Sequence, residues 1–95
     1  MTRKELLEFH DKICTEAKDL MVAKNSDYAS DSDPFANFRM FGDGEAALGI
    51  VYRLGDKLRR LHKASKGKDF AVAESIDDTV KDIINYAILF KAITN

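Results

Sequence analysis

The stretch of sequence that decides the fold is KNSDYASDSDPFANFR, residues 24–39. It shows no helical periodicity, whereas the sequence on either side of it repeats its apolar residues at steps of three and four. The stretch contains the only proline, Pro34, and three aromatic residues, Tyr28, Phe35 and Phe38. Because disordered segments usually lack such apolar anchors, the composition predicts an ordered loop that lies over a helical core and presents polar groups.

Length and composition indicate a single domain over residues 1–95. A chain of this length buries only about 60–65% of its extended-chain surface, so its own core gives a small free energy of unfolding. The single cysteine, Cys14, excludes an internal disulfide, and no apolar run reaches the ~18 residues that a membrane span requires. Since no leader segment is recognisable either, we expect a soluble, cytoplasmic protein.

The charges are balanced overall but unevenly distributed. The net charge of −1, from 15 basic and 16 acidic residues, argues against a general nucleic-acid-binding protein. Residues 53–68 are nevertheless strongly basic, with Asp56 as their only acid, and most clustered acids fall in residues 27–33 and 74–82. This distribution suits an anionic ligand, and it also suits salt bridges between helices.

Three amphipathic helices are predicted. The first begins with a capping box of Thr2 and Glu5, and the second follows a turn in which Asp43 is a candidate cap. The third begins near Phe70, after a turn in which Gly67 is a candidate helix C-cap neighbour. Their predicted buried faces are Leu6, Phe9, Ile13, Ala17 and Leu20; Ala47, Ile50, Val51, Leu54, Leu58 and Leu61; and Ala73, Ile76, Val80, Ile83, Ala87 and Phe90.

The pattern therefore predicts an all-α subunit with the order helix, long loop, helix, turn, helix. Towards the C-terminus Ile84, Ile88 and Leu89 add apolar side chains outside the buried face of the third helix. A helix that is apolar nearly all round cannot be covered by two neighbours in so small a chain. We therefore expect a homo-oligomer, most simply a dimer, in which these ends form an oligomeric helical bundle.

Several basic residues are placed to face a cleft under the loop. Lys24 is in phase with the buried stripe of the first helix, so its ammonium must reach water or an anion. Three basic residues lie along one flank of the second helix at steps of three and four: Arg53, Lys57 and Arg60. Gly55 interrupts the same helix at a cost of about 1 kcal/mol relative to alanine, which predicts a close approach of another helix or a ligand.

The third helix carries two carboxylate pairs. Asp77 and Lys81 are four residues apart in the orientation that favours a surface salt bridge. Asp78 and Asp82 are also four residues apart, but they are like charges on one face and require a compensating cation. Either the basic flank of the second helix supplies that cation, or a divalent metal such as Mg²⁺ binds the two carboxylates.

Four motifs together resemble a phage and bacterial family, the nucleotide-modification-associated domain of the first type. They are KNxDY (24–28), PFxNFR (34–39), RxxDKxxR (53–60) and ESIxDTxxDxxNY (74–86). The resemblance covers about residues 20–90 and implies a phage or prophage protein with a role around nucleotides, acting in the host cytoplasm. The family commonly has glycine after Asp-Tyr, where this chain has Ala29.

The third helix is also similar to the all-α nucleotide pyrophosphohydrolases of the MazG and dimeric dUTPase type, which hold Mg²⁺ with carboxylate pairs on two helices. Glu74-x-x-Asp77 matches one such pair. The other pair is missing, because the second helix offers only Asp56 and Glu16-x-x-Asp19 in the first helix is an imperfect substitute.

Three functions follow as hypotheses. The first is a nucleotide-binding module, either a sponge for a defence-signalling nucleotide such as a cyclic nucleotide or an accessory to modified-nucleotide metabolism. In it, Lys24, Arg39, Arg53, Lys57 and Arg60 bind phosphate, Tyr28 or Phe38 stacks on the base, and Asn37 or Asp27 reads the base edge.

The second hypothesis is an Mg²⁺-dependent nucleotide pyrophosphohydrolase. Its metal ligands would be Asp56, Glu74, Asp78 and Asp82, and the metal would activate a water molecule and neutralise phosphate charge. The third is a phage accessory protein that binds another protein through the apolar end of the third helix.

Overall fold

The residues that the structure describes form three α-helices and one short 3-10 helix. The computed structural model describes the backbone of residues 1–28, 32–41, 46–67 and 73–95, and the side chains of 1–24, 32–39, 46–67 and 76–95. The elements are α1 (Arg3–Tyr28), the 3-10 helix (Ala36–Phe41), α2 (Ala46–Ser65) and α3 (Ala73–Ile93). The predicted all-α class is therefore confirmed.

Helix α3 is the centre of the subunit. The beginning of α2 packs near the end of α3, while Lys57, further along α2, contacts Asp82, earlier in α3, so the two helices are antiparallel. Helix α1 contacts α3 from another side, and the 3-10 helix lies on α2. Within the described residues, no helix has the length and apolarity needed to cross a lipid bilayer.

The ends of the helices follow local signals. The capping box is confirmed, since the Glu5 amide donates to Thr2 Oγ1 at 3.1 Å and the Thr2 amide donates to Glu5 Oε1 at 3.4 Å. After α2, Gly67 has φ of 72°, a left-handed conformation that glycine adopts without steric cost. Asp43, Ala29 and the predicted start of the third helix near Phe70 lie outside the described residues.

Helix α1 is longer than predicted. The expected loop began at Lys24, but the helix continues to Tyr28. Residues 24–28 contain neither proline nor glycine, so nothing in them breaks the hydrogen-bonded ladder. The irregular connection is accordingly shorter than the sequence indicated.

The buried face of α3 was predicted wrongly in part. Ala87 is exposed and Phe90 is 38% exposed, whereas the polar residues Thr79, Asp82 and Asn85 are buried. The reason is that α3 packs between the other helices through residues whose polar groups find partners there.

The stripes of α1 and α2 are buried only along part of their length. Ala17 and Ile50 are fully buried, as expected, but Leu6 and Phe9 on α1 are exposed, and so are Val51 and Leu58 on α2 (Val51 46%, Leu58 50%). The buried apolar cluster is consequently small. It consists of Phe38, Ala46 and Ile50, with Phe35, Tyr86, Leu89 and Ile93 packed against it.

The close approach on α2 occurs at Gly49 and not at Gly55. A Cβ atom at Gly49 would lie 2.5 Å from the carbonyl oxygen of Phe38, whereas one at Gly55 would meet nothing within 4 Å. Gly49 therefore allows the backbone of the 3-10 helix to lie directly on α2. The helix contact predicted at Gly55 is therefore wrong for the part of the chain that the structure describes, while the alternative, a ligand contact, stays a prediction.

Candidate ligand-binding cleft

A cleft of about 370 Å³ opens where α1, the 3-10 helix, α2 and α3 meet. Its volume lies within the range of about 300–1,000 Å³ that is usual for small-molecule sites. The lining residues come from all four elements and combine cations, a carboxylate, amides and aromatic rings. They are Met21, Lys24, Asn37, Phe38, Arg53, Asp82, Asn85, Tyr86 and Leu89.

Asp82 joins the three α-helices at the cleft. Its carboxylate accepts from Lys24 of α1 at 2.9 Å and pairs with Lys57 of α2 at 3.1 Å, through different oxygens. The Asp82 side chain is only 8% exposed, and its pair with Lys57 is largely removed from water, whereas Lys24 is half exposed. Such a buried carboxylate is tolerated because two cations compensate its desolvation.

The ion pairs determine the protonation of this centre. Burial acts to raise the pKa of Asp82, but the hydrogen bonds from Lys24 and Lys57 outweigh it and leave the pKa below its ordinary value of 3.8. The hydrogen bond to Asp82 likewise raises the pKa of Lys24 above 10.5. Asp82 and Lys24 are therefore both charged at neutral pH.

Asp78, the like-charged neighbour of Asp82, is exposed. The sequence left two alternatives for the cation beside Asp78 and Asp82, a basic residue of α2 or a divalent metal. The structure shows Lys57 of α2 at Asp82, together with Lys24 of α1. The described residues contain no group of three or more potential metal ligands. The Mg²⁺ site stays a prediction, and the Glu74 side chain lies outside the described residues.

Arg53 lies over the aromatic part of the cleft. Its guanidinium carbon is 5.2 Å from the centre of the Phe38 ring, within the range of a cation–π contact. It also donates to the carbonyl oxygen of Asn37 through a long hydrogen bond of 3.5 Å. Since a guanidinium has five N–H groups, Arg53 retains donors that can bind an anion.

Two aromatic rings form one wall of the cleft. Phe38 and Tyr86 are packed edge to face, with ring centres 6.0 Å apart and ring planes at 88°. Phe38 is buried, and the contact of its carbonyl oxygen with Gly49 fixes its position on α2. The wall is thus part of the core and not a mobile surface.

Asn85 is a buried amide whose orientation is fixed. Its side-chain nitrogen donates to the carbonyl oxygen of Ala17 at 2.8 Å, which ties α3 to α1. The side-chain oxygen is then the group that this amide can present to the cleft. Asn85 therefore has a structural role and supplies a potential hydrogen-bond acceptor.

The structure brings together five of the sequence-predicted site residues at the cleft: Lys24, Asn37, Phe38, Arg53 and Asp82. Lys57 lies behind the cleft and supports Asp82. Arg39 instead pairs with Asp33 at 3.1 Å, and Arg60 pairs with Asp56 at 3.7 Å on the exposed side of α2. The side chains of Asp27 and Tyr28 lie outside the described residues.

Four lining residues were not predicted as site residues: Met21, Asn85, Tyr86 and Leu89. A signal was present for those on α3, because Thr79, Asp82, Asn85 and Tyr86 repeat at steps of three and four. A polar stripe of this kind resembles a solvated helix face when the sequence alone is considered. Only the position of α3 between two other helices makes it interior.

Comparisons of the chain with protein-family models, with curated proteins and with solved structures give no match. The resemblance to the nucleotide-modification-associated domain therefore stays a prediction from the four motifs.

Proposed function

We propose that the chain binds a nucleotide in the cleft, with its phosphate at Lys24 and Arg53 and its base against Phe38 and Tyr86. The observation that supports this proposal is the convergence of residues from all four motifs, the fourth through Asp82, Asn85 and Tyr86. Lys24, Asn37 with Phe38, and Arg53 are separated in the sequence but line one cavity together.

The cationic part of the cleft fits a phosphate group. Lys24 is half exposed and gives one of its three N–H groups to Asp82, so two remain for an anion. Arg53 lines the same cavity and can bind phosphate oxygens with two parallel N–H groups. Since Asp82 offsets part of the positive charge, the cleft favours a ligand with few phosphate charges over a polyanion such as a nucleic acid.

The remaining lining fits a nucleobase. Tyr86 is partly exposed and packs edge to face against the buried Phe38, so Tyr86 supplies the aromatic surface of the cleft, and stacking of a base on such a ring is worth about 1–3 kcal/mol. Asn37 and the side-chain oxygen of Asn85 supply polar groups for the base edge. These are the components that the nucleotide-binding hypothesis requires.

We favour binding without hydrolysis. Each oxygen of Asp82 already accepts from an ammonium group, and Asp56 pairs with Arg60 away from the cleft. A module that binds and retains a nucleotide would act as a sponge for a nucleotide signal or as an accessory in nucleotide metabolism, consistent with the phage setting that the sequence resemblance implies.

Calorimetry and thermal shift with nucleoside mono- and triphosphates and cyclic nucleotides test the proposal, in EDTA and in Mg²⁺, with inorganic phosphate as the reference. A ligand at 100 times its Kd should raise the free energy of unfolding by about 2.7 kcal/mol. Arg53→Ala removes a charge-assisted hydrogen bond and should weaken binding by about 10- to 100-fold.

Arg60→Ala is the matched control, because this arginine lies two turns further along α2 and pairs with Asp56. It should leave the affinity unchanged. Absence of binding by every nucleotide, or equal affinity of Arg53→Ala and the wild type, would contradict the proposed function. Release of pyrophosphate or phosphate in Mg²⁺ would instead support the hydrolase.

A further inference from the structure

The first part of α1 is exposed along its whole length. Every residue from 1 to 12 is exposed, including the large apolar residues Leu6, Leu7 and Phe9, which are 54%, 55% and 48% exposed. We refer to residues 3–12 as the α1 arm. Because a helical segment of this length is marginal in water by itself, an apolar stripe on it calls for a partner.

The total surface leads to the same conclusion. The chain exposes 7036 Å², whereas a folded monomer of its mass exposes about 5,500 Å². The excess of about 1,500 Å² per chain is larger than the ~800 Å² that each partner contributes to an interface of standard size. It lies instead in the range of permanent homo-oligomers, which points to another copy of the chain as the occupant.

A complementary surface exists at the C-terminal end of α3. A shallow groove of about 400 Å³ is lined there by Ala87, Ile88, Lys91, Ala92 and Asn95. Ile88 is 54% exposed, and the two alanines leave room for another helix to approach closely. Since the arm residues are exposed throughout, the arm does not cover this groove in its own chain.

We propose that the α1 arm of one copy packs into the α3 groove of a second copy. Leu6 and Phe9 of the arm contact Ile88 and the alanines of the groove. Glu5 lies one turn before Phe9 on the same side of α1 and is opposite in charge to Lys91 in the groove. The interface does not depend on the proposed nucleotide ligand.

Light scattering coupled to size-exclusion chromatography of the full chain, without nucleotide, tests this interface. The wild type is expected to elute with a mass that is a multiple of 10.7 kDa. The double variant Leu6→Glu, Phe9→Glu should weaken self-association by more than about 100-fold, because two large side chains lose their burial. Ile88→Glu, which changes the groove and not the arm, should weaken self-association to a similar extent.

Leu58→Glu is the matched control, since Leu58 is a comparably exposed apolar residue on α2 outside the arm and the groove. It should keep the wild-type mass. A mixture of the arm variant with Ile88→Glu should associate again, because each supplies the half that the other lacks. A monomeric wild type, an unchanged mass of the arm variant, or failure of the mixture to associate would overturn the proposal.

Discussion

The two faces of α3 differ in a way that reverses the usual distribution of side chains. The face that lines the cleft is polar and buried, with Asp82 and Asn85 each bonded to other helices. Away from the cleft, the C-terminal part of α3 carries exposed apolar side chains, Ile88 on one side of the helix and Phe90 on another. The comparison teaches that burial within the described part of the chain serves to position polar groups, while several large apolar side chains stay exposed.

This division has a consequence for stability. Only Ala17, Phe38, Ala46 and Ile50 are buried apolar residues among those that the structure describes. The tertiary structure therefore depends strongly on a few specific polar links between the helices. The same substitution should therefore change the free energy of unfolding much more at a residue packed between elements than at an exposed or uncrowded residue of the same type.

The largest expected difference is between two aspartates on α3. Asp82→Ala leaves the ammonium groups of Lys24 and Lys57 without their shared partner, one of them in a poorly solvated position, and should reduce the free energy of unfolding by about 3 kcal/mol. Asp78→Ala, at an exposed position one turn earlier, should change it by less than about 0.5 kcal/mol. Urea denaturation of both variants measures the two values, and equal losses would contradict the comparison.

The next difference is between two glycines on α2. Gly49→Ala places a methyl group against the carbonyl oxygen of Phe38 and should destabilise the chain by about 2 kcal/mol. Gly55→Ala meets no neighbouring atom and should instead stabilise it by about 0.5–1 kcal/mol through better helix propensity. Thermal unfolding of the two variants should therefore give melting temperatures on opposite sides of the wild-type value.

The smallest expected effect is the dependence of the free energy of unfolding on pH. The pKa of Asp82 is lower in the folded chain than its ordinary value of 3.8, so the unfolded chain takes up this proton first as the pH falls. The contribution of Asp82 to stability is therefore complete above about pH 5 and is lost as the pH decreases through 3.8 and below.

Asp82→Asn tests this dependence. Denaturation of the wild type and the variant at a series of acid pH values should show a flatter profile for the variant. A wild-type profile as flat as that of Asp82→Asn would show that the carboxylate is not held in the charged state by the two lysines.

Much of the fold was predictable from local sequence signals. The 3.6-residue periodicity identified three helices, and the capping box of Thr2 and Glu5 marked the first of them. The depth of burial was not predictable, because Leu6 and Val51 satisfy the same pattern as Ala17 and Ile50 but are 54% and 46% exposed. Periodicity identifies a face, while tertiary packing decides whether that face is covered.

The site was predictable where residue chemistry was unusual. Lys24 in phase with an apolar stripe and Arg53 on a basic flank were recognisable, and both line the cleft. Asn85 and Tyr86 were not assigned to the site, since an amide and a phenol on a charged helix are equally consistent with a solvated face. The role of Gly49 also depends on the path of the 3-10 helix, which no local signal specifies.

Because α1 is one continuous helix from Arg3 to Tyr28, a tilt of this helix would displace both of its ends. The hydrogen bond between Asn85 and the carbonyl of Ala17 lies between the two ends of this helix, about 10 Å from Lys24 and about 16 Å from Leu6 at 1.5 Å per residue. A tilt of α1 about this hydrogen bond would move Lys24 and Leu6 in opposite directions, with the larger displacement at Leu6. A ligand that draws Lys24 away from Asp82 would therefore displace Leu6 further than it displaces Lys24.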